Sequence, residues 1–483
     1  MKKRISSILV ILLILSLFSC GTGDGKEKQT GQATDPVTGS GTQTEPAESR
    51  DEDYFSDGDL RDVTDETPNA VITLSGKTGE ISDTTRGSSG DNVTIRSKGI
   101  YRIKGSSEDV SIIIDDGNKS GVVYLVFEEA TMINSSYPCV VVDNADKVVL
   151  LSDGVSSLEY TATDTEYDGA VYSSDDVTFG GRGTLEIGSS LHGVVGKDDV
   201  RITGGSIRIK SGKIGINAND SLKIGGGSLE INAGKEGIRV SDDVNDELFV
   251  ILDGSVYIES EKDGIHSDHD ALFRGGKATI ISNDDAVHAD GDLTVEAGTV
   301  EINRSYEGIE AGNVKVTGGE ISVNSSDDGI NASNGSVTVS GGKVYVNSGG
   351  DGIDANGSIF VSGGDVIIEG PTDDGNGILD ITKSGCVAEI TGGTVLAIGS
   401  SGMAINFNSG TQCSALVSLS GNEGAEITVD DGSGFSFTAT KQFACVLYSS
   451  PYLTKGNAYV IKAGTATAKA DFSEGMFYTD LNK

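Results

Sequence analysis

The chain has 483 residues, of which 73 are acidic and 36 are basic, so its formal net charge at pH 7 is −37. This balance excludes nucleic acid as a partner, because a strongly negative surface repels the phosphate backbone. A chain of this length normally divides into several domains, unless it is a repeat protein whose core grows one unit at a time.

Residues 1–20 are predicted to be a lipoprotein signal peptide. Three basic residues precede an apolar run, Ile8 to Phe18, that is too short to span a bilayer. The run ends in Leu-Phe-Ser-Cys, which resembles a bacterial lipobox, so Cys20 is expected to be lipidated and to anchor the mature protein to a membrane. The alternative is an ordinary secretory signal that is cleaved nearby.

The next two segments are predicted to be a tether and the beginning of the folded body. Residues 21–53 are rich in Gly, Thr, Gln, Glu and Pro and contain almost nothing apolar, which predicts a disordered tether. Residues 54–169 contain strand-like runs at irregular spacing, such as Val122 to Phe127. We expect N-terminal rungs here, some of them covering the open end of a solenoid, because a bare end would expose sheet edges.

Residues 170–419 repeat one short phrase: usually an acidic residue, then a small residue, an aliphatic residue, a variable residue and a second small one. Two alternating runs of Val, Ile and Thr, joined by a Gly-Gly pair, separate successive phrases and predict strands. Leucine-rich repeats have a similar period, but their Leu-x-x-Leu-x-Leu phrase is missing. The pattern therefore predicts an all-β chain that forms a single-stranded parallel β-helix. The first small residue of the phrase recurs 21 to 27 residues apart, at Gly215, Gly237, Gly264, Ala286, Gly308, Gly329 and Gly352.

The aliphatic residue of each phrase is expected to point into the core, where these residues would form one column. The column comprises Ile216, Ile238, Ile265, Val287, Ile309, Ile330 and Ile353.

Residues 420–483 lose the period and gain aromatic residues, which predicts a C-terminal cap of antiparallel strands. Apart from Cys20, the cysteines are Cys139, Cys386, Cys413 and Cys445, and their spacing is not that of a metal site. Cys386 and Cys413 are about one rung apart and could pair, although we favour buried thiols for all four.

Acidic residues precede the small residue on six successive rungs. Successive rungs of a β-helix lie about 4.8 Å apart, and like charges at that distance repel by about 3 kcal/mol at an effective dielectric of 20. The carboxylates must therefore take up protons, spread into water or hold cations. The residues of this first column are Glu236, Asp263, Asp285, Glu307, Asp328 and Asp351.

Calcium is the hard cation available outside the cell, and carboxylates and amide oxygens are its usual ligands. A second column, two residues after the small residue, contains His266, His288, Glu310, Asn331 and Asp354, and a short third column contains Asp268 and Asp290. We predict calcium binding by the first column with Asp354, Asp268 and Asp290. The alternative is a solvated acidic face that keeps the solenoid soluble. Two histidines without a third clear ligand are a weak zinc signal.

The rung phrase, the lipobox and the segment from Lys441 to Pro451 resemble a family of secreted bacterial, mostly clostridial, carbohydrate-binding proteins that was long described as a domain of unknown function. The resemblance covers residues 71–483. It implies a right-handed parallel β-helix similar to that of pectate lyases, bound calcium, and binding to cellulose-like or acidic polysaccharides.

The preferred function is that of a calcium-dependent carbohydrate-binding protein without enzymatic activity, located at the cell surface and anchored to the membrane through Cys20. His266, His288, Tyr306 and Asn331 are the predicted sugar-binding residues, although the absence of tryptophan is unusual for stacking against sugars. The runner-up is a calcium-dependent polysaccharide lyase, which needs a basic residue beside the metal. Its candidate bases are Lys235, Arg239, Lys262 and Arg304. A structural or adhesive surface protein is the third possibility.

Overall fold

The computed structural model describes residues 54–119, 121–241 and 248–481. The predicted signal peptide, Cys20 and the predicted tether lie outside the described residues. Among the described residues, no helix is both long and apolar enough to cross a membrane.

The described chain contains one short helix, α1 (Asp57–Leu60), and 42 strands, numbered here in chain order. The N-terminal strands are β1 (Ala70–Gly76), β2 (Thr78–Ile81), β3 (Gly87–Ser88), β4 (Asn92–Ile95), β5 (Gly99–Glu108), β6 (Ser111–Asp115), β7 (Val122–Asn134), β8 (Val140–Asn144), β9 (Lys147–Asp153) and β10 (Val155–Tyr160). The central strands are β11 (Gly169–Ser173), β12 (Val177–Gly181), β13 (Thr184–Ser189), β14 (His192–Gly196), β15 (Val200–Ile202), β16 (Ser206–Ser211), β17 (Ile216–Ala218), β18 (Ser221–Ala233), β19 (Ile238–Val240), β20 (Leu248–Ser260), β21 (Ile265–Ser267), β22 (Asp270–Phe273), β23 (Lys277–Ser282), β24 (Val287–Val295), β25 (Thr299–Ser305), β26 (Ile309–Val316), β27 (Glu320–Ser325), β28 (Ile330–Ala332), β29 (Val337–Val339), β30 (Lys343–Asn347), β31 (Ile353–Ala355), β32 (Ile359–Glu369), β33 (Leu379–Ile381) and β34 (Ala388–Gly399). The C-terminal strands are β35 (Ser409–Gly410), β36 (Ser414–Gly421), β37 (Glu426–Val429), β38 (Ser436–Thr438), β39 (Phe443–Ser449), β40 (Ala458–Ala463), β41 (Ala466–Asp471) and β42 (Phe477–Asp480).

The strands form a parallel β-solenoid of about 14 turns, which confirms the predicted fold class. Each turn contributes one strand segment to each of three faces, which are numbered 1 to 3 in the order in which the chain passes through them. Face 1 contains β8, β11, β14, β17, β19, β21, β28, β31 and β33, together with the first halves of β24 and β26. Face 3 includes β10, β13, β16, β23, β25, β27 and β30. Parallel pairing already begins between β1 and β5, so regular turns start well before residue 170.

The predicted inward column is confirmed by the register of face 1. Ile216 pairs with Ile238, and the same register continues turn by turn to Ile353 and on to Leu379. All of these side chains are at most 1% exposed. Because side chains alternate across a strand, the residue between two buried ones must face outward, and this alternation positions the second column.

The small residue of the phrase is required by close packing between turns. A Cβ on Gly264 would lie 2.4 Å from Ile280 Cγ2 and 2.5 Å from the carbonyl oxygen of Ala286. Ala286 is the one non-glycine residue of the column. The third strand of the same turn, β25, contains a register shift after Ile302 in its pairing with both neighbouring strands.

The segment that follows the predicted tether packs across the outside of the solenoid. Asp59, on α1, is 1% exposed and accepts hydrogen bonds from Lys147 Nζ at 2.7 Å and from Thr178 Oγ1 at 2.6 Å. Val63 joins an apolar cluster with outward-facing residues of β7 and β9, including Val126 and Leu151. This segment therefore covers apolar side chains that would otherwise face water.

The C-terminal end is closed by antiparallel strands, as the sequence predicts. β39 pairs antiparallel with both β34 and β36, and β37, β38, β40 and β41 form a separate four-stranded antiparallel sheet. Cys386 and Cys413 do not pair, and the four cysteines of the described chain are free thiols. Cys386 is only half-buried, whereas the other three thiols are buried, so the prediction of buried thiols holds for three of the four.

Candidate functional site

The first column lies at the edge of face 1, where each turn enters its strand. The backbone hydrogen bonds from Gly237 N to Asp263 O and from Gly329 N to Asp351 O show the carboxylates stacking turn upon turn. Ile214 occupies the equivalent position one turn before Glu236, and Gly377 occupies it one turn after Asp351. The six carboxylates therefore form a column with two defined ends.

The second column projects from the middle of the face 1 strands and runs beside the first. Its members pair directly across the sheet, from Arg239 through His266, His288, Glu310 and Asn331 to Asp354. The register adds Arg239 and Asn217 before the predicted column and Asp380 after it, so the second column of the structure runs from Asn217 to Asp380. We call the first and second columns, together with Asp268 and Asp290, the ladder.

The third column is joined to the second by the histidines. His266 places Nδ1 at 2.7 Å from Asp263 Oδ2 and Nε2 at 3.0 Å from Asp268 Oδ1. Asp268 also accepts a hydrogen bond from Arg239 Nη2 at 3.1 Å. All three columns therefore meet at one turn, as the sequence-based grouping requires.

His288 repeats this arrangement one turn later and gains a further carboxylate. Its Nδ1 lies 3.2 Å from Asp285 Oδ2 and 3.1 Å from Glu310 Oε2, and its Nε2 lies 3.1 Å from Asp290 Oδ1. Hydrogen bonds to Asp285 and then to Glu310 raise the pKa of His288 to about 11. The imidazolium is therefore a fixed cation at neutral pH. The rings of His266 and His288 stack with centroids 4.7 Å apart.

Beyond Glu310 the ladder contains no basic side chain, and the atoms that it could offer to a cation are carboxylate and amide oxygens. We call this part, together with Glu307, the oxygen-only half. Burial raises the pKa of Glu307 to about 7, of Asp328 to about 6 and of Asp351 to about 7. Burial also raises the pKa of Asp354. Basic side chains neutralise the first half of the ladder, whereas the second half holds clustered carboxyl groups that resist ionisation.

Several ladder oxygens are buried and accept no hydrogen bond from the described residues. Eight buried side-chain polar atoms of the described chain lack a hydrogen-bond partner, and four of them belong to the ladder. They are Asn217 Oδ1, Glu236 Oε2, Asn331 Oδ1 and Asp354 Oδ1. Because unpaired buried oxygens are costly, these four atoms are available to accept a hydrogen bond or to bind a cation.

Two groups on the ladder are compact enough to hold one cation. Oxygen atoms of Asp328, Asp351 and Asp354 lie within 4.8 Å of one another, and beside them stands the unpaired oxygen of Asn331. This set of hard oxygen donors fits calcium. The second group combines His288 with Asp285 and Glu310, and there the imidazolium already supplies a positive charge.

Comparison with known proteins identifies the family to which the chain belongs. The sequence model of a family described as "carbohydrate-binding domain-containing protein" matches residues 89–329 and 282–433, which together make up more than half of the chain. The chain belongs to this family. The resemblance inferred from the rung phrase is therefore confirmed, and the matched region of this carbohydrate-binding domain family contains the whole ladder.

A curated relative and a solved structure are also similar to this member of the carbohydrate-binding domain family. A carbohydrate-binding domain-containing protein of Acetivibrio thermocellus is 29% identical over 125 residues, which is 24% of this chain and 43% of the relative. The chain thus matches less than half of that relative's length. A solved structure of a polysaccharide lyase-like protein from C. thermocellum covers 49% of this chain and 94% of its own, with 23% identity and a TM-score of 0.36.

The candidate lyase bases have other partners or face solvent. Arg239 binds Asp268, Lys262 Nζ lies 3.2 Å from Asp284 Oδ2, and Arg304 Nη2 donates to Asn283 Oδ1 at 3.2 Å. Lys235 is exposed. Three of the four side chains are therefore engaged with neighbouring acceptors, and the fourth faces solvent.

The structure also shows where Tyr306 lies and which ladder residues sequence reasoning missed. Tyr306 lies one residue before the first column and is 49% exposed, so it stands beside the ladder. The second column also contains Arg239, Asn217 and Asp380, which extrapolating the register by two turns in one direction and by one turn in the other could have found.

A further acidic group, away from the ladder, joins Asp176, Asp198 and Asp199. Arg201 and Lys223 form ion pairs with it, which makes it a neutralised structural cluster.

Proposed function

We propose that this protein is a calcium-dependent carbohydrate-binding protein of the bacterial cell surface, which recognises plant cell-wall polysaccharide of a cellulose-like or acidic kind. One observation carries the calcium part of the proposal. The oxygen-only half of the ladder holds clustered carboxylates beside the unpaired oxygens of Asn331 and Asp354. Membership of the carbohydrate-binding domain family supports the glycan part.

Asp328, Asp351, Asp354 and the amide oxygen of Asn331 would hold the ion, and a calcium ion would offer further coordination positions to sugar hydroxyls or carboxylates. His266 and His288 would present the exposed parts of their stacked rings to the sugar, since hydrogen bonds to carboxylates occupy the ring nitrogens and fix the two rings parallel to each other. Glu236, Asp263, Asp285 and Glu307 complete the acidic edge along which an extended chain would lie. Tyr306 would add an exposed ring at the side of this edge.

The first prediction tests calcium and glycan together. Wild-type protein is expected to be retained on immobilised polygalacturonate in calcium and released by a chelator. Asp354→Asn is expected to weaken calcium binding about tenfold or more, because the site loses a charged ligand. Glu423→Gln, which neutralises an exposed carboxylate in the C-terminal segment, is the matched control and should behave as wild type. Isothermal titration with calcium and a retention assay measure the two effects.

Each alternative has its own outcome in this experiment. Retention that is equal in calcium and in chelator would leave the ladder as a solvated acidic face. Loss of binding to every glycan tested would favour a structural or adhesive surface protein. Appearance of unsaturated product, followed by its ultraviolet absorbance on polygalacturonate, would establish the lyase.

The second prediction concerns localisation and rests on the sequence of the signal segment. Cys20→Ala is expected to release the protein from the membrane fraction into the medium, or to leave it as an unprocessed precursor, because the lipidated residue is removed. Fractionation with an antibody against the folded body measures this result. Normal processing with unchanged membrane association would contradict a lipid anchor at Cys20.

A further inference from the structure

A second candidate binding site lies between face 3 and the C-terminal segment. A cleft of about 680 Å³ is bounded on one side by β27, β30 and the second half of β32, and on the other by the loop before β38 and the end of β39. Its volume is in the range of ordinary ligand sites, about 300–1,000 Å³. The ladder follows face 1, so the cleft and the ladder are formed by different strands.

Aromatic side chains are concentrated in this cleft. Tyr345 and Phe435 are half-buried in its lining, and Tyr452 at its rim is 58% exposed. The Phe435 ring packs 5.1 Å from the ring of Tyr448 at an interplanar angle of 53°. Tyr448 is itself buried and donates a hydrogen bond to Asp431 Oδ2 at 2.9 Å. The packing against Tyr448 thus holds the Phe435 ring in place before any ligand arrives.

Tyr345 is fixed by a buried acid. Its hydroxyl donates to Glu369 Oε1 at 2.8 Å, and Glu369 is 0% exposed. Glu369 also accepts hydrogen bonds from Thr440 N at 2.7 Å and from Thr440 Oγ1 at 2.8 Å. This network joins face 3 to the C-terminal segment and orients the tyrosine ring, so binding would lose little side-chain entropy.

The charges of the cleft select against an acidic ligand. Glu320 and Asp365 line it, and Lys343 Nζ forms an ion pair with Glu320 Oε1 at 2.9 Å. With two carboxylates and one lysine that is already paired, the lining carries a net negative charge and would repel a polyuronate. Ser322 and Ser433 add hydroxyl groups that match those of a sugar.

We propose that this aromatic cleft binds a chain of neutral hexoses without needing a metal ion. The pyranose face would pack against Tyr452 and Phe435, while the carboxylates of Glu320 and Asp365 accept hydrogen bonds from sugar hydroxyls. This inference rests on the proposed carbohydrate-binding function and divides it between two sites. Neutral glycan binds in the cleft, and acidic glycan binds at the ladder through calcium.

A soluble cello-oligosaccharide serves as the probe, measured by isothermal titration in calcium and in chelator with the full folded protein. Tyr452→Ala and Phe435→Ala are each expected to weaken its binding roughly five- to tenfold, equally in both buffers. Tyr257→Ala is the matched control, because Tyr257 is also an outward tyrosine of face 3 but lies outside the cleft lining. Equal melting temperatures for the variants would exclude a loss of folding.

The outcomes separate this inference from the proposed function. Unchanged affinity in the Tyr452→Ala/Phe435→Ala double variant would overturn the cleft, as would a wild-type protein that does not bind the oligosaccharide. After either result, calcium-dependent retention on polygalacturonate would still support the proposed function of the ladder. Oligosaccharide binding that chelator abolishes would also overturn the metal-free cleft. Loss of the oligosaccharide but not of polygalacturonate in the double variant is the expected result.

Discussion

In the presence of a chelator, the free energy of unfolding of this protein is expected to fall as the pH rises from about 4 to about 7. The cause is burial of carboxyl groups on the ladder. Burial raises the pKa of Glu307 and Asp351 to about 7 and that of Asp328 to about 6. The folded state therefore binds more protons than the unfolded state across this interval, and stability decreases with pH wherever that holds.

The expected loss is about 3 kcal/mol in total. One unit of pKa shift corresponds to about 1.4 kcal/mol, and the partial exposure of these groups reduces each contribution to about 1 kcal/mol through solvent screening. His288 extends the decrease, because a raised histidine pKa stabilises the fold fully below about 6.5 and less as the pH rises further. Below pH 4 the trend reverses. Burial opposes ionisation of Asp59, but its hydrogen bonds, chiefly that from Lys147, lower its pKa to about 2.

In calcium, the free energy of unfolding is expected to rise with pH instead of falling. An ion bound to ionised carboxylates stabilises the folded state more as the pH rises, by about 2.7 kcal/mol when its concentration is a hundred times the dissociation constant. Urea unfolding at closely spaced pH values, with calcium and with chelator, measures both slopes. In chelator, Asp351→Asn should reduce the loss of stability with rising pH by about a third, because it removes one of the three carboxyl groups whose pKa is raised. A slope that is the same in calcium and in chelator would contradict the site.

Gly329→Ala is expected to destabilise the protein by about 1–3 kcal/mol, the usual cost of overpacking a core. A Cβ at this position would lie 2.2 Å from Val346 Cγ1 and 2.7 Å from the carbonyl oxygen of Gly352. Both contacts are too short, and one of them is to backbone that holds the next turn. The stack must therefore open locally, which also weakens the hydrogen bonds between the two turns.

Gly475→Ala is the matched control for the same chemical change. A Cβ there would meet no atom closer than Phe477 N at 4.0 Å, so the free energy of unfolding should change by less than about 0.5 kcal/mol. Chemical denaturation of the two variants and of wild type provides the comparison. Equal stability of Gly329→Ala and Gly475→Ala would show that the turns are less tightly stacked than the structure indicates.

The fold and the ladder could be predicted because both follow from one local period. An alternation of two residues fixes which side chains face inward, and a constant number of residues per turn fixes which of them stack. Ile309 and Glu310 illustrate this, since one is buried and its neighbour faces outward on the same short strand. Nothing distant in the sequence is needed to place either residue.

The aromatic cleft could not be predicted in the same way. Tyr345 and Tyr452 lie 107 positions apart in the sequence and meet only because the C-terminal strands fold back onto face 3. No period relates the two segments. The division of the ladder into a half with basic residues and an oxygen-only half was visible in the sequence. Which oxygens remain without a hydrogen bond depends on side-chain geometry that spacing does not specify.

The constant register of face 1 limits how the number of ladder side chains can change during evolution. Duplication of one whole repeat would insert one turn, leave every neighbouring pair intact and add one side chain to each column. The number of carboxylate and amide side chains on the ladder would then grow with the number of turns, without any new arrangement of strands. An insertion one residue too short or too long would instead bring the acidic column into the core. Whole-repeat steps are therefore the lengths at which a longer or shorter ladder can still fold.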